Sequence, residues 1–313
     1  STPLYSSAAS DVYKRQEVAV IGLGKMGAQI AEKLSNNDFK VYCYDVNKNV
    51  SINADSNIVI TKSIKDLVSK FNGKKIIWLM LPSGSVTNNT IKELKNLLDS
   101  DDIIIDGGNS FYKDSKENFI NCKKKNIHFI DCGTSGGIWG LKNGFCLTIG
   151  GEKQIYEEIK ELFVALSDKN SNGGLYVGES GSGHYVKMIH NGIEYGMMQS
   201  IAEGFELLKA KNEFDYDLPL VAQIWEHGSV VRSWLLDLTR IALENDPELK
   251  TLSPYVEDSG EGRWTIKEGI DLDVPTHAIT SSLYSRFYSR RNDSFGFKIL
   301  ASLRNQFGGH SIK

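Results

Sequence analysis

From Glu17 onward, short runs of apolar residues alternate with stretches in which apolar positions recur every three or four residues. The runs "EVAVI", "KVYCYDV", "KKIIWLMLP", "DIIID", "IHFIDCG" and "GFCLTIGG" are nearly continuous in apolar character, the pattern of strands covered on both faces. Between them "KMGAQIAEKL" and "SVTNNTIKELKNLLDS" carry helical spacing. Such alternation predicts an α/β Rossmann-type domain with a parallel sheet over residues 17–180. After "GLYVGESGSG" the strand pattern stops. Helices are expected from Gly183 to Ala210 and around Pro219 to Trp225, Val230 to Leu243, Thr276 to Arg291 and Phe297 to Gln306, an all-helical domain over residues 181–313.

The glycines that punctuate the first domain add chemistry to this outline. Gly22, Gly24 and Gly27 form G-x-G-x-x-G between the first strand and the first helix, the context in which the pattern holds a dinucleotide. Gly22 permits the turn, Gly24 lets the backbone approach a pyrophosphate, and Gly27 lets helix and strand pack closely. The helix N-terminus then offers N–H groups and partial positive charge to the phosphates. Lys25 and Met26 within this turn, and Leu81–Pro82 at the end of a later strand, join the candidate cofactor contacts. Asp45 closes the second strand, where a carboxylate accepts the ribose hydroxyls and repels a 2′-phosphate. This favours NAD over NADP, with Lys48 close enough to leave some NADP use open. Two further glycine turns fall at strand ends, "DGGNS" with Asn109 and "GTSGG" with Ser135, Gly136 and Gly137.

Composition narrows the partners. The 313 residues carry 41% hydrophobic and 24% charged side chains with a formal net charge of -3, so no basic block points to nucleic acid or an anionic membrane. No apolar run approaches the roughly 20 residues that span a bilayer. The four cysteines lack metal-site spacing and the density of a secreted disulfide scaffold, and read as reduced thiols of a cytoplasmic protein. No metal is called for. Residues 1–16 differ in character from the strand-forming run that begins at Glu17: "SSAASDVYKRQ" can be written by a transposase sequencing adapter read in frame, and the segment is expected to be a non-native fusion.

The sharpest cluster lies near the start of the long helix expected from Gly183. Lys187, Asn191 and Glu194 stand at i, i+4 and i+7, one face of a helix, with His190 joining at i+3 and Tyr195 following. A lysine and carboxylate at this spacing form either a solvated ion pair or, when desolvated, a base and an acid for proton transfer.

With "GLGKMG", "DGGNS", "SGG" and above all "KMIHNGIEYG", the chain from Glu17 to Lys313 resembles the 6-phosphogluconate dehydrogenases, close to the shorter form of that family. The wider β-hydroxyacid dehydrogenases share the glycine fingerprint, the S-G-G turn and the lysine, but not H-N-x-x-E-Y. The resemblance implies NAD-linked oxidative decarboxylation of 6-phosphogluconate to ribulose 5-phosphate in the pentose phosphate pathway. It implies that Lys187 is the base, Glu194 the acid and Asn191 their catalytic neighbour. Asn109, Ser135, Gly136, Gly137 and His190 would orient the sugar acid, with Asn109 also near the cofactor. Tyr195 and Arg286 would bind the phosphate, as would Arg304 and His310, a tail that in the family reaches into the neighbouring subunit of a homodimer. In place of the asparagine-arginine-threonine turn of the NADP enzymes stands "YDVNKN". In place of a phosphate-binding lysine and threonine the loop "VEDSGEGRWT" offers Ser259, Glu261 and Arg263, to which no role transfers. Two other readings remain at this level: a non-decarboxylating dehydrogenase of a 3-hydroxyisobutyrate type, and an NAD-binding regulator without turnover.

Overall fold

The computed structural model describes residues 16–52, 57–171 and 173–311, so the expected adapter segment lies outside the described residues except for Gln16. The chain divides into two compact units, the first ending at Met188 and the second beginning at Ile189.

In the first unit the elements run β1 (Glu17–Ile21), α1 (Lys25–Ser35), β2 (Lys40–Tyr44), β3 (Ile58–Ile60), α2 (Ile64–Val68), β4 (Ile76–Leu79), α3 (Ser85–Leu94), β5 (Ile103–Asp106) and α4 (Tyr112–Lys123). They continue through β6 (His128–Ser135), α5 (Gly140–Asn143), β7 (Cys146–Gly150), α6 (Lys153–Glu158), α7 (Lys160–Leu166) and β8 (Leu175–Gly178). The strands form one sheet in the order β3-β2-β1-β4-β5-β6-β7-β8. Its first six are parallel and doubly wound, with the reversal of strand order at β1 and β4. Successive residues of each strand enter opposite faces: Val18 and Val20 lie in one apolar cluster, Ala19 and Ile21 in the other. Both faces are buried, which is why these strands read as continuous apolar runs. Each such aliphatic side chain contributes about 1.5–3 kcal/mol on leaving water.

The expectation of a parallel sheet fails at the last two strands, because β8 runs parallel to β7 and shares its reversal. β7 pairs with β6 in antiparallel register, Asp131 opposite Gly150 and Ser135 opposite Cys146. Only a 3-10 turn (Gly137–Trp139) and the single turn of α5 join the two strands. That connection is too short to carry the chain back for a parallel crossover. The four cysteines are unpaired. Burial pushes the Cys43 thiol up to about 12 and Cys122 to about 11, and raises Cys132 as well, whereas Cys146 is exposed.

α8 (Ser182–Ala210) is one uninterrupted helix of 29 residues that begins in the first unit and continues through the second. It is followed by α9 (Leu218–Glu226), α10 (Trp234–Asn245), α11 (Glu261–Asp271), α12 (His277–Ser289) and α13 (Phe295–Gly308). Phe205 of α8, Leu218 and Ala222 of α9, and Leu236 and Leu243 of α10 form the second unit's own core. α10 starts at Trp234 rather than at Val230, because the Ser233 hydroxyl caps it by accepting the Leu236 N–H. α11 goes beyond the helices expected from spacing: Gly260, Gly262 and Gly269 make its stretch look like a loop, yet two of them are the places where neighbouring side chains press closest. Among the described residues no helix is long and apolar enough to cross a membrane.

Candidate active site

The turn between β1 and α1 is built as its glycines require. Gly22 has φ +92°, and a Cβ there would fall 2.3 Å from the Met80 carbonyl oxygen; a Cβ on Gly27 would fall 1.9 Å from the carbonyl oxygen of Gly22. Gly24 is different. Nothing lies within 4 Å of where its Cβ would stand, and as the N-cap of α1 it leaves the first-turn N–H groups without a side-chain cap. Open space over a helix N-terminus whose first turn carries no acidic residue fits a pyrophosphate. Lys25 is exposed beside it, Met26 half-buried, and Leu81 and Pro82 follow β4, the strand next to β1.

Asp45 stands just past β2. Its Oδ2 accepts the Leu23 N–H at 2.6 Å and its Oδ1 the Asn47 N–H at 2.7 Å, so the carboxylate is tied to the glycine turn itself. A carboxylate has about four acceptor positions, which leaves capacity for two ribose hydroxyls. The residues present therefore fit an adenine dinucleotide.

Beyond β5, Asn109 is exposed, and Gly108 ahead of it approaches Leu81 too closely for a side chain: a Cβ there would stand 2.7 Å from the Leu81 carbonyl oxygen. Beyond β6, Ser135 is half-buried, and Gly136 and Gly137 take φ of +139° and +53°, values that favour glycine. The same strand seats α8. Asp131, fully buried on β6, accepts the N–H of Gly181 at 2.6 Å and of His184 at 3.0 Å, and the Ser180 hydroxyl at 3.3 Å. A carboxylate from the sheet thus satisfies the first turn of α8 and complements its dipole. Lys187, one turn further and only 8% exposed, has its Cβ where a side chain on Gly133 would come within 2.5 Å. Its stem is pressed onto the strand, and with the Thr148 hydroxyl and the Gly183 carbonyl it leaves no room for a side chain at Gly133.

In the second unit, Asn191 is buried on α8 and its Nδ2 donates to Glu261 Oε1 at 2.6 Å. Its Oδ1 lies 2.9 Å from His190 Nδ1. Glu194 Oε2 stands 3.9 Å from the same ring nitrogen, partly exposed. Tyr195 is buried, its hydroxyl bonded to the N–H of Ser259 at 2.9 Å and to the Ser259 hydroxyl at 3.1 Å. The Ser259 hydroxyl in turn donates to Glu261 Oε2. The loop that offered no transferable role is therefore wired to α8.

Cations gather around it. Arg263 and Arg290 both donate to Asp258, at 2.8–2.9 Å, and Arg263 first and Arg290 second hold that carboxyl down at about 2 against the opposing effect of burial. Arg286 is held by neutral groups instead: Nη1 donates to the Glu257 carbonyl at 2.7 Å and the guanidinium lies 3.6 Å from the Tyr195 ring centre. None of these contacts is to a carboxylate. Arg304 and His310 are exposed at the end of α13, where the His310 carbonyl accepts the Asn305 amide at 2.9 Å. Among the described residues neither bonds to the other candidates.

The structure adds Asp131, Gly133, Gly183, Ser259 and Glu261 to the residues singled out by motif. Gly133 and Gly183 were visible as glycines at the motifs, whereas Ser259 and Glu261 were visible only as loop residues without a transferable role, because their partners on α8, Tyr195 and Asn191, lie 64 and 70 positions away.

Residues 17–178 match the model for the NAD binding domain of 6-phosphogluconate dehydrogenase, and residues 183–296 that for the 6-phosphogluconate dehydrogenase C-terminal domain. The chain is 41% identical to the putative 6-phosphogluconate dehydrogenase YqeC of Bacillus subtilis, over 95% of this chain and 99% of that protein. It is 39% identical to the NAD(+)-dependent, decarboxylating 6-phosphogluconate dehydrogenase of Haloferax volcanii, over 95% and 98%. Among solved structures it superposes on Plasmodium falciparum 6-phosphogluconate dehydrogenase with a TM-score of 0.78 at 26% identity, covering 95% of this chain and 66% of that one. With both halves matched and the short relatives spanned almost end to end, the chain belongs to the 6-phosphogluconate dehydrogenase family.

Proposed function

We propose that the protein oxidises and decarboxylates 6-phosphogluconate, giving ribulose 5-phosphate and CO2 with reduction of NAD. The observation that carries this reading is the buried Lys187, pressed onto Gly133 at the start of a helix whose next two turns bring Asn191 and Glu194 to the same face. When bound, the nicotinamide supplies the acceptor for hydride from substrate C3. Lys187 takes the C3 hydroxyl proton, and once protonated it polarises the new carbonyl. That carbonyl accepts the electron pair released as the carboxylate departs as CO2. Glu194, partly exposed and so able to exchange with water, delivers a proton to the enediol carbon that has lost CO2, C1 of ribulose 5-phosphate. Asn109, Ser135, Gly136, Gly137 and Asn191 orient the sugar acid, and Arg286 with Tyr195 takes its phosphate.

Purified protein supplied with 6-phosphogluconate and NAD should form reduced cofactor and CO2 in equal amounts. No reduction with NAD or NADP refutes the activity, and reduction without CO2 refutes the decarboxylation. NAD preference follows from Asp45. Asp45→Ala removes two charge-assisted hydrogen bonds to ribose, each worth about 1.5–3 kcal/mol, so the KM for NAD should rise at least tenfold while that for NADP stays level or falls. Equal KM values for NAD in the two proteins would remove the ribose role.

The working form is a homodimer whose tail completes the neighbouring site. A stripe of exposed apolar residues on α13, Phe295, Ile299, Leu303 and Phe307 at four-residue spacing, suits a helix that docks on a second copy. Arg304→Ala should then raise the KM for 6-phosphogluconate by about tenfold or more with kcat less affected, since a charge-assisted phosphate contact is lost. A KM unmoved by the change would separate the tail from the phosphate. Four unpaired thiols suit the reducing cytoplasm.

A further inference from the structure

Glu261 is a carboxylate only 2% exposed to solvent. As the first residue of α11 it complements the helix dipole, but a surface position would serve that purpose without the desolvation that burial imposes. Its placement is also enforced from outside. A Cβ on Gly192 would fall 2.7 Å from the Thr265 side chain, and one on Gly262 2.7 Å from the Tyr195 ring, so two glycine contacts hold α11 against α8 at the level of Asn191.

Both carboxylate oxygens are committed. An amide nitrogen only donates and an amide oxygen only accepts, which fixes the polarity of the bonds that lead through Asn191. Asn191 must turn Nδ2 towards Glu261 Oε1, so its Oδ1 must face His190. The proton between them therefore sits on His190 Nδ1. On the other side, the Ser259 hydroxyl spends its hydrogen on Oε2, and the Tyr195 hydroxyl therefore donates to Ser259 Oγ. Glu194 Oε2, 3.9 Å from His190 Nδ1, is beyond hydrogen-bond length and reinforces the same protonation.

We propose that Glu261 is a positioning residue that, through Asn191, locks His190 in its Nδ1–H tautomer and so presents the Nε2 lone pair to a hydroxyl hydrogen of the polyol substrate. The choice of substrate rests on the function proposed above; the tautomer does not. Neutral His190 then reads a hydroxyl group rather than the carboxylate.

The test uses the whole protein with nitrogen-15-labelled histidine, at a pH where the rings are neutral, with His190 assigned from a His190→Gln spectrum. Wild-type His190 should show protonated Nδ1 and bare Nε2. In Glu261→Gln, whose amide can donate to Asn191 and let it turn over, the signal should move to the Nε2–H form or to a mixture. Glu261→Gln should also lower kcat/KM for 6-phosphogluconate by about 10- to 100-fold, with the KM for NAD within about twofold of wild type. A wild-type ring in the Nε2–H form, or a tautomer and kcat/KM both unchanged in the variant, overturns the proposal. Should the variant not fold, the wild-type spectrum alone decides. Failure of wild-type protein to oxidise 6-phosphogluconate would strike the assigned function while leaving the tautomer test standing.

Discussion

Lys187→Ala should abolish turnover while leaving cofactor binding in place. The lysine is asked to remove the C3 hydroxyl proton and then to stabilise the carbonyl oxygen, two roles in which the enzyme acts on the transition state and not on ground-state binding. Loss of a general base alone lowers rates by about 10²- to 10⁴-fold, and kcat should fall by at least about 10³-fold because both roles go together. NAD affinity, which the proposed function assigns to the turn at Gly24 and to Asp45, should change by less than about twofold. Because the lysine stem is buried against Gly133, truncation also leaves a cavity; Lys187→Met fills most of it and should show the same loss of rate with stability restored. A Lys187→Met protein with near wild-type kcat would end the assignment of this residue as the base.

Gly183→Ala should damage catalysis from a position that touches no substrate. The added methyl would stand 2.5 Å from the Asp131 carbonyl oxygen, 2.6 Å from the Thr148 carbonyl oxygen and 2.8 Å from the Gly150 nitrogen. All three are backbone atoms of the antiparallel pair β6 and β7, so no side chain can swing aside. The first turn of α8 has to lift by roughly an ångström, taking Lys187 one turn later with it, and a displacement of that size can cost about 10²-fold in rate. Overpacking of this kind lowers stability by about 1–3 kcal/mol, visible as a reduced midpoint in thermal melts. Steady-state kinetics that match wild type, together with an unchanged melting midpoint, would show that the helix start tolerates the shift.

The chain makes much of this arrangement legible because strands buried on both faces announce themselves as apolar runs, and because Gly22, Gly24 and Gly27 obey a local geometric rule. Lys187, Asn191 and Glu194 were legible for a similar reason: a helix converts spacing into a shared face. What sequence could not display is pairing across the chain. The reversal of β7 follows from the brevity of its link to β6, a matter of length rather than of residue type. α11 was masked by Gly262 and Gly269, which read as breakers yet sit where Tyr195 and Thr276 leave no room for a Cβ. Glu261 received no role from the sequence because its charge was visible and its bonds to Asn191 and Ser259 were not.

Asp45 also bears on the entropy of cofactor binding. Both oxygens already rest on the N–H groups of Leu23 and Asn47, so the side chain has surrendered its rotameric freedom before any ribose arrives. A group frozen in its bound pose spares association an ordering penalty of about 0.5–1.5 kcal/mol per side chain. On the ribose role proposed for Asp45, the adenosine end of the dinucleotide would meet a template set during folding, its ordering already complete within the unliganded protein.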